Sequence, residues 1–270
     1  MNYQIRKPCR ILSRYVKYYW ILEDCQDYPC HNPFRVIPNG MTEMLFHFGG
    51  SYYCYTKGNI LQKQPFISLC GMKNTFFDVV APSTTGFLSV VFKPYGSGVF
   101  FPFHFMEILN SSIDIENVYS NVSDRLYTQI SENKNVEKKI QYVENFLISC
   151  LKPEKRPNFD LIEKMFLMID DYNGLLNIDT LRKEFDVNFK FIERLFMEFL
   201  GITPKAFLKI IRFQSAICRY SYNKTDLTTL AYNSGYFDQA HFNKDIRKYT
   251  GCNPKQFFKD PYLYSDYFMK

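Results

Sequence analysis

The sequence predicts an α+β protein: an N-terminal antiparallel β barrel or sandwich closed by helices, followed by an all-α region of two helix-turn-helix units joined by a linking helix. Three observations carry this. Over the first hundred residues the apolar segments are short and end in turn residues. From about Ile113 apolar residues recur at three- and four-residue intervals. Beyond residue 158 one helical plan occurs twice, at a period near fifty residues.

The strand candidates are residues 42–48 (TEMLFHF), 65–70 (PFISLC) and 86–92 (GFLSVVF). They are bounded by Pro38-Asn39-Gly40, Gly49-Gly50 and Lys93-Pro94-Tyr95-Gly96. Val118, Leu126 and Ile130, then Val136, Ile140, Val143, Phe146, Leu147 and Ile148, predict two helices broken near residues 131–135 that flank the first domain. The segment KPEKRPN (152–158) holds two prolines and three positive charges, which suits an exposed connection. The chain therefore divides into 1–152, a connection at 153–158, a helical domain at 159–260 and a tail at 261–270.

Punctuation places the later helices. Asn158 caps a helix running to Tyr172 and ended by Asn173-Gly174. Ile178 or Asp179 opens a short one to Phe185, and Asn188 caps another that Gly201 stops. Thr203-Pro204 opens a longer helix to about Tyr220, since proline is well suited to the first helical position. Thr225 caps the next short helix, residues 236–238 start another, and Asn253-Pro254 open a last one.

The repeat is visible in these signals. In one copy Phe185-Asp186-Val187-Asn188 is the turn, 189–199 the second helix and Gly201-Ile202-Thr203-Pro204 the exit. In the other the turn is Ser234-Gly235-Tyr236-Phe237-Asp238, the helix 239–249 and the exit Gly251-Cys252-Asn253-Pro254. A helix-turn-helix lays its second helix in the major groove. The joining helix, 204–220, is about 25 Å long at ~1.5 Å per residue, and packed between the two units it suits holding their second helices near the ~34 Å separation of successive major grooves.

Residues from about 160 to 259 resemble the DNA-binding domain of the AraC/XylS family of bacterial regulators. The resemblance rests on Leu195-Phe196, Gly201-Ile202-Thr203-Pro204, Arg212 and Ala216. It continues through Leu230-Ala231, Gly235-Tyr236-Phe237-Asp238-Gln239, His241-Phe242 and Gly251-Cys252-Asn253-Pro254. Two departures, Cys218-Arg219-Tyr220 in place of a Leu-Leu pair and Ile246 in place of Phe, read as core substitutions. The resemblance implies DNA-facing residues Phe189, Lys190, Glu193 and Arg194 in the first unit and Gln239, His241, Asn243 and Lys244 in the second.

Helix periodicity leaves the same positions outside, with Ile192, Leu195, Phe196 and Phe199 forming one apolar stripe and Phe242, Ile246 and Tyr249 the other. Gln239 and Asn243 suit adenine and Arg194 suits guanine, whereas Lys190, Lys244, Arg247 and Lys248 suit phosphates. Arg194 is equally placed to brace the linking helix, and Gln239 to cap its own. Glu193 faces DNA favourably only by accepting from cytosine or orienting Arg194, and His241 reads most simply as a surface histidine. Arg14-Tyr15-Val16, Tyr19-Trp20, Ile37-Pro38-Asn39-Gly40, Gly71-Met72 and Phe92-Lys93-Pro94-Tyr95-Gly96 resemble an N-terminal domain found on a subset of these regulators. That resemblance implies a sensory or dimerising module with 113–150 as its dimer surface, although such an apolar stripe also serves as ordinary core.

Composition agrees with a folded DNA-binding protein. Phe (27) and Tyr (21) are abundant enough to exclude a disordered chain. Residues 1–200 balance 22 Lys+Arg against 22 Asp+Glu, whereas 201–270 hold 11 against 5, so the whole net charge of +6 sits in the last quarter. No apolar run approaches the ~18 residues of a membrane span, and the eight cysteines follow no Cys-x-x-Cys pattern, which predicts a cytoplasmic protein without membrane association. His31, His47 and His104 lack metal-ligand spacing, and no Gly-x-Ser-x-Gly, phosphate loop or His-Glu-x-x-His occurs, so neither an enzyme, a metal nor a cofactor is expected. The partners expected are duplex DNA, RNA polymerase, a small-molecule or peptide effector and a second copy of the chain. The alternatives are a protein-interaction adaptor on a helix-turn-helix scaffold and a cysteine-based sensor or alkyl-transfer protein using Cys54 or Cys70.

Overall fold

The structure, a computed structural model, describes residues 2–25, 33–55, 60–223 and 225–259; His31, Cys30 and the 261–270 tail lie outside them. The strands are β1 (Asn2–Arg6), β2 (Val16–Cys25), β3 (Phe34–Val36), β4 (Glu43–His47), β5 (Tyr53–Tyr55), β6 (Leu61–Lys63), β7 (Ile67–Cys70), β8 (Phe77–Val80), β9 (Thr85–Phe92) and β10 (Ser112–Asp114). They form two antiparallel sheets, β1-β2-β9-β4-β7-β10 and β3-β8-β5-β6. Of barrel and sandwich, the sandwich is found.

Alternation along the strands sends side chains to opposite faces of the larger sheet. On one face Tyr19, Ile21, Met44, Phe46, Leu88 and Val90 are buried. The helices α1 (Ser123–Ser131) and α2 (Val136–Cys150) add Leu126, Ile130, Ile140, Val143 and Leu147 to the same core. Most of the apolar stripe of these helices is thus spent within the chain, while Ile148 stays exposed. On the other face Trp20, Leu22, Leu45 and Phe87 meet Phe34, Val36, Phe77 and Val79 of the smaller sheet. Helix begins later than the sequence predicts: Ile113 lies in β10, paired with Leu69, and α1 starts only at Ser123. A three-residue strand is too short to display alternation.

The helical part follows the predicted punctuation: α3 (Phe159–Asp171), α4 (Ile178–Glu184), α5 (Phe189–Leu200), α6 (Pro204–Asn223), α7 (Leu227–Asn233), α8 (Gln239–Thr250) and α9 (Pro254–Lys259). Two details differ. Asp226 rather than Thr225 caps α7, its carboxylate accepting from the N–H groups of Thr228 and Thr229, both at 3.0 Å. The linking helix α6 runs 20 residues, to Asn223, which makes it about 30 Å long.

Packing does not stop at residues 153–158. Arg156, read from sequence as part of an exposed connection, is half-buried and donates to the carbonyls of Gly98 (2.8 Å) and Phe101 (3.1 Å) and to Glu198 on α5 (3.0 Å). Phe159 of α3 stands 5.2 Å from Tyr15, 5.5 Å from Tyr95 and 6.2 Å from Phe199, ring centre to ring centre. Arg14 donates to Asp160 and Glu163, and the Tyr95 hydroxyl to Glu163. Gly96 is required because a Cβ there would strike the Tyr15 carbonyl. The Arg14-Tyr15 and Tyr95-Gly96 motifs therefore build the seat for α3. One apolar core runs from the larger sheet through α3 into α5 and α6.

His47, at the end of β4, is buried between the rings of Tyr52 and Phe87. Burial pushes its pKa from 6.5 down to about 4, with Gln64 opposing. The unfolded chain therefore binds the proton first as pH falls from 6.5 towards 4, so this histidine withdraws stability across that window and has no such effect above it. Urea midpoints measured from pH 7 to pH 4 are expected to fall less steeply for His47→Gln than for the native chain, whatever the offset between the two; parallel slopes would contradict this assignment.

Candidate nucleic-acid interface

Each unit is a short helix, a turn and a longer second helix closed by the same devices. At the start of α5 the Asn188 side chain accepts from the Phe191 N–H at 2.9 Å, and at the start of α8 the Asp238 carboxylate accepts from the His241 N–H at 2.6 Å. At their ends Gly201 and Gly251 take the left-handed conformation (φ 73° and 72°) that favours glycine. The inner stripes are buried as the periodicity requires: Ile192, Leu195, Phe196 and Phe199 on α5, and Phe242, Ile246 and Tyr249 on α8.

On α5, Phe189, Lys190 and Arg194 are exposed and Glu193 is half-buried beside them. The Arg194 guanidinium lies 5.1 Å from the ring centre of Phe191, on its own helix. On α8, Gln239, Lys244, Arg247 and Lys248 are exposed, whereas His241 and Asn243 are half-buried. Gln239, Asn243 and Arg247, four residues apart along the helix, line one shallow hollow of about 220 Å³ with Leu227, Asn253, Pro254 and Lys255. Gln239 also makes a long 3.5 Å contact with the Thr228 hydroxyl of α7.

His241 turns away from that stripe. Its ring meets Tyr236 edge-on at 5.2 Å, and its Nε2 is 3.9 Å from the Asp245 carboxylate. Asp245 is itself buried, and Lys209 of α6 approaches it at 3.5 Å. This group fastens α8 to α6, and Tyr236 and Tyr249 around it are pushed well above the usual phenol pKa by burial and then by the Asp245 charge. Lys248 stands on the flank turned to the first domain, where its carbonyl accepts from the Thr75 hydroxyl at 3.4 Å. The structure thus brings Gln239, Asn243 and Arg247 together and sets His241 and Lys248 aside from them.

Two features escaped the sequence. Lys255 at the start of α9 adds a charge to the α8 hollow. Phe237 is 86% exposed immediately before the Asp238 cap, because the neighbouring Tyr236 takes the packing position, 5.1 Å from Phe242. Two successive aromatics before a cap, of which only one can pack, were the available signal.

Residues 182–260 match the model of a helix-turn-helix domain. The C-terminal region is a helix-turn-helix domain of the AraC/XylS type. Residues 4–114, ahead of that AraC/XylS-type domain, match a domain of unknown function, DUF6597. The HTH-type transcriptional activator RhaS of Escherichia coli O139:H28 is 23% identical over 86 residues, which is 32% of this chain and 31% of RhaS. An uncharacterised HTH-type transcriptional regulator of Haemophilus influenzae is 32% identical over 66 residues, 24% of this chain and 22% of its own. The chain spans less than a third of the length of these curated relatives. A crystal structure of ToxT from Vibrio cholerae superposes over 98% of this chain and 100% of its own with a TM-score of 0.51 and 11% identity, a similarity of fold.

Gly201 offers a direct test of how the AraC/XylS-type domain is seated. A side chain there meets both the positive φ and the backbone of Phe105–Met106 in the first domain. Gly201→Ala is expected to lower the unfolding free energy by about 2 kcal/mol or more, read from denaturant titration. A loss near 1 kcal/mol, no larger than the left-handed conformation alone requires, would mean that the two parts are not pressed together at this point.

Proposed function

We propose that this chain is a sequence-specific DNA-binding transcription regulator whose α5 and α8 enter two successive major grooves of one duplex. The observation that carries the reading is the pair of equivalently capped helices with polar and basic side chains outward, inside a domain of AraC/XylS type. The 20-residue α6 supports it, since its length of about 30 Å approaches the ~34 Å between successive major grooves. RhaS and the Haemophilus influenzae relative are named as transcription regulators.

In this reading Arg194 recognises guanine, Gln239 and Asn243 recognise adenine, and Phe189 offers an apolar contact of the kind a thymine methyl accepts. Lys190, Lys244, Arg247 and Lys255 neutralise phosphates, whereas Lys248 lies on the flank turned to the first domain. Glu193 orients Arg194 or accepts from cytosine, and His241 acts through Asp245 rather than on a base. The bound protein acts at promoters through contact with RNA polymerase, and a small-molecule or peptide effector bound by the first domain biases binding. The cysteine-based alternative is disfavoured on chemistry: burial pushes the thiols of Cys54 and Cys70 up to about 12 and about 11, which keeps both protonated and unreactive.

Selection of bound sequences from random duplexes by the full chain is expected to enrich a site of two short blocks about one helical turn apart. Arg194→Ala and Gln239→Ala should each cost roughly 1–3 kcal/mol of binding and relax preference within one block, while Lys244→Ala should weaken all sequences alike and lower the salt slope by about 1. Absence of any enriched site would favour the interaction-adaptor alternative.

A further inference from the structure

The ends of α5 and α8 meet the first domain at equivalent points. Gly201 and Gly251 close the two helices fifty residues apart, and each lies where a Cβ would collide with the β-sandwich part: Gly201 with the backbone of Phe105 and Met106, Gly251 with Arg35 and Phe76. At α8 the contact is made by one side chain. Arg35 on β3 forms a two-pronged pair with Asp78 on β8, with both N–O distances 2.7 Å, and stacks its guanidinium 4.0 Å from the Phe76 ring centre. Its Nη1 donates to the carbonyl of Thr250, the last residue of α8, at 2.9 Å. Beside it the Thr75 hydroxyl donates to the carbonyl of Lys248.

The last carbonyls of a helix have no partner within it and carry the negative end of the helix dipole, so a cation held rigidly there fixes where the helix ends. Asp78 and Phe76 hold this guanidinium in one orientation, which a surface arginine lacks. At α5 the corresponding hold is the Phe105–Met106 backbone together with Arg156 on Glu198. Both holds grip the C-terminal ends, and the N-terminal halves that carry Phe189, Lys190, Arg194 and Gln239 remain exposed.

We infer that the first domain is a caliper that sets the separation and angle of the two second helices, and that Arg35 is the positioning residue for α8. Its consequence for binding rests on the DNA reading above: the caliper restricts the spacing between the two base blocks that the protein accepts. Arg35 touches no base and acts only through the position of α8.

The test uses the full chain in two arms. In the first, affinity is measured for the selected duplex with the blocks at their native spacing and with one or two base pairs inserted or removed. The native chain is expected to lose about tenfold or more off spacing. Arg35→Ala is expected to cut that penalty at least threefold while preferences inside each block stay unchanged, and Arg35→Lys, a cation without the two-pronged geometry, is expected to recover only part of it. The second arm needs no DNA: spin labels carried by unnatural amino acids at positions 190 and 244 report the distance distribution between the two helices. Arg35→Ala should broaden it, and Asp78→Asn, which frees the guanidinium without removing it, should do the same. Unchanged distributions in both variants overturn the caliper. A native chain with no sequence preference overturns the DNA reading instead, and the distance arm still decides the caliper.

Discussion

The packing of Phe199 is the contact on which the rest of this molecule depends. It lies on the buried side of α5, fully enclosed, against Phe159 of α3 and pressed on Gly98 of the first domain. Because Phe159 in turn lies against Tyr15 and Tyr95, a helix whose outer face is free for another molecule is anchored by its inner face in the core of a β-sandwich. Burying side chains of this size contributes roughly 2–3 kcal/mol each. An aromatic wall of this extent therefore outweighs the polar contacts around it and makes α3 and α5 part of the first domain's own core.

The second unit is related to the first by plan and differs in its surroundings. Besides its apolar stripe, α8 has a buried carboxylate, Asp245, approached by Lys209 and His241, and an arginine at its far end. Burial of Asp245 is tolerable because a lysine reaches it from α6; removal of that neighbour would leave a charge in a dry environment. The same positions along the repeat thus serve recognition in one direction and attachment in the other. Gln239, Asn243 and Arg247 form a continuous stripe, whereas His241 and Lys248, close to them in sequence, belong to the attachment side.

How much of this was legible in the sequence follows from the range of the forces involved. Helix ends were readable because caps and left-handed glycines act within four residues: Asn188, Asp238, Gly201 and Gly251 stand where the pattern placed them. Outer and inner faces of α5 and α8 were readable because burial imprints a helical period on one short segment. The strand at Ile113 was not, since three residues cannot carry a period. Nor was the role of Arg156, which reads as a solvated charge until Gly98, Phe101 and Glu198 are brought around it. His241 faces inward because of Asp245, whose burial depends on Lys209 from another helix. Arg35 and Thr250 are too far apart in the chain for any local pattern to pair them.

The two attachments also respond to different surroundings. That of α5 is chiefly an apolar interface, which kosmotropic salt strengthens and cooling weakens. That of α8 runs through half-exposed ionic groups, Arg35 with side-chain exposure of 24% and Asp78 with 27%, which electrolyte screens. A kosmotropic salt therefore tightens one end of the α5–α8 pair as it loosens the other. With Arg35 as the positioning residue for α8, the choice of salt then acts on the angle between the two helices even when every residue that faces outward is unaltered.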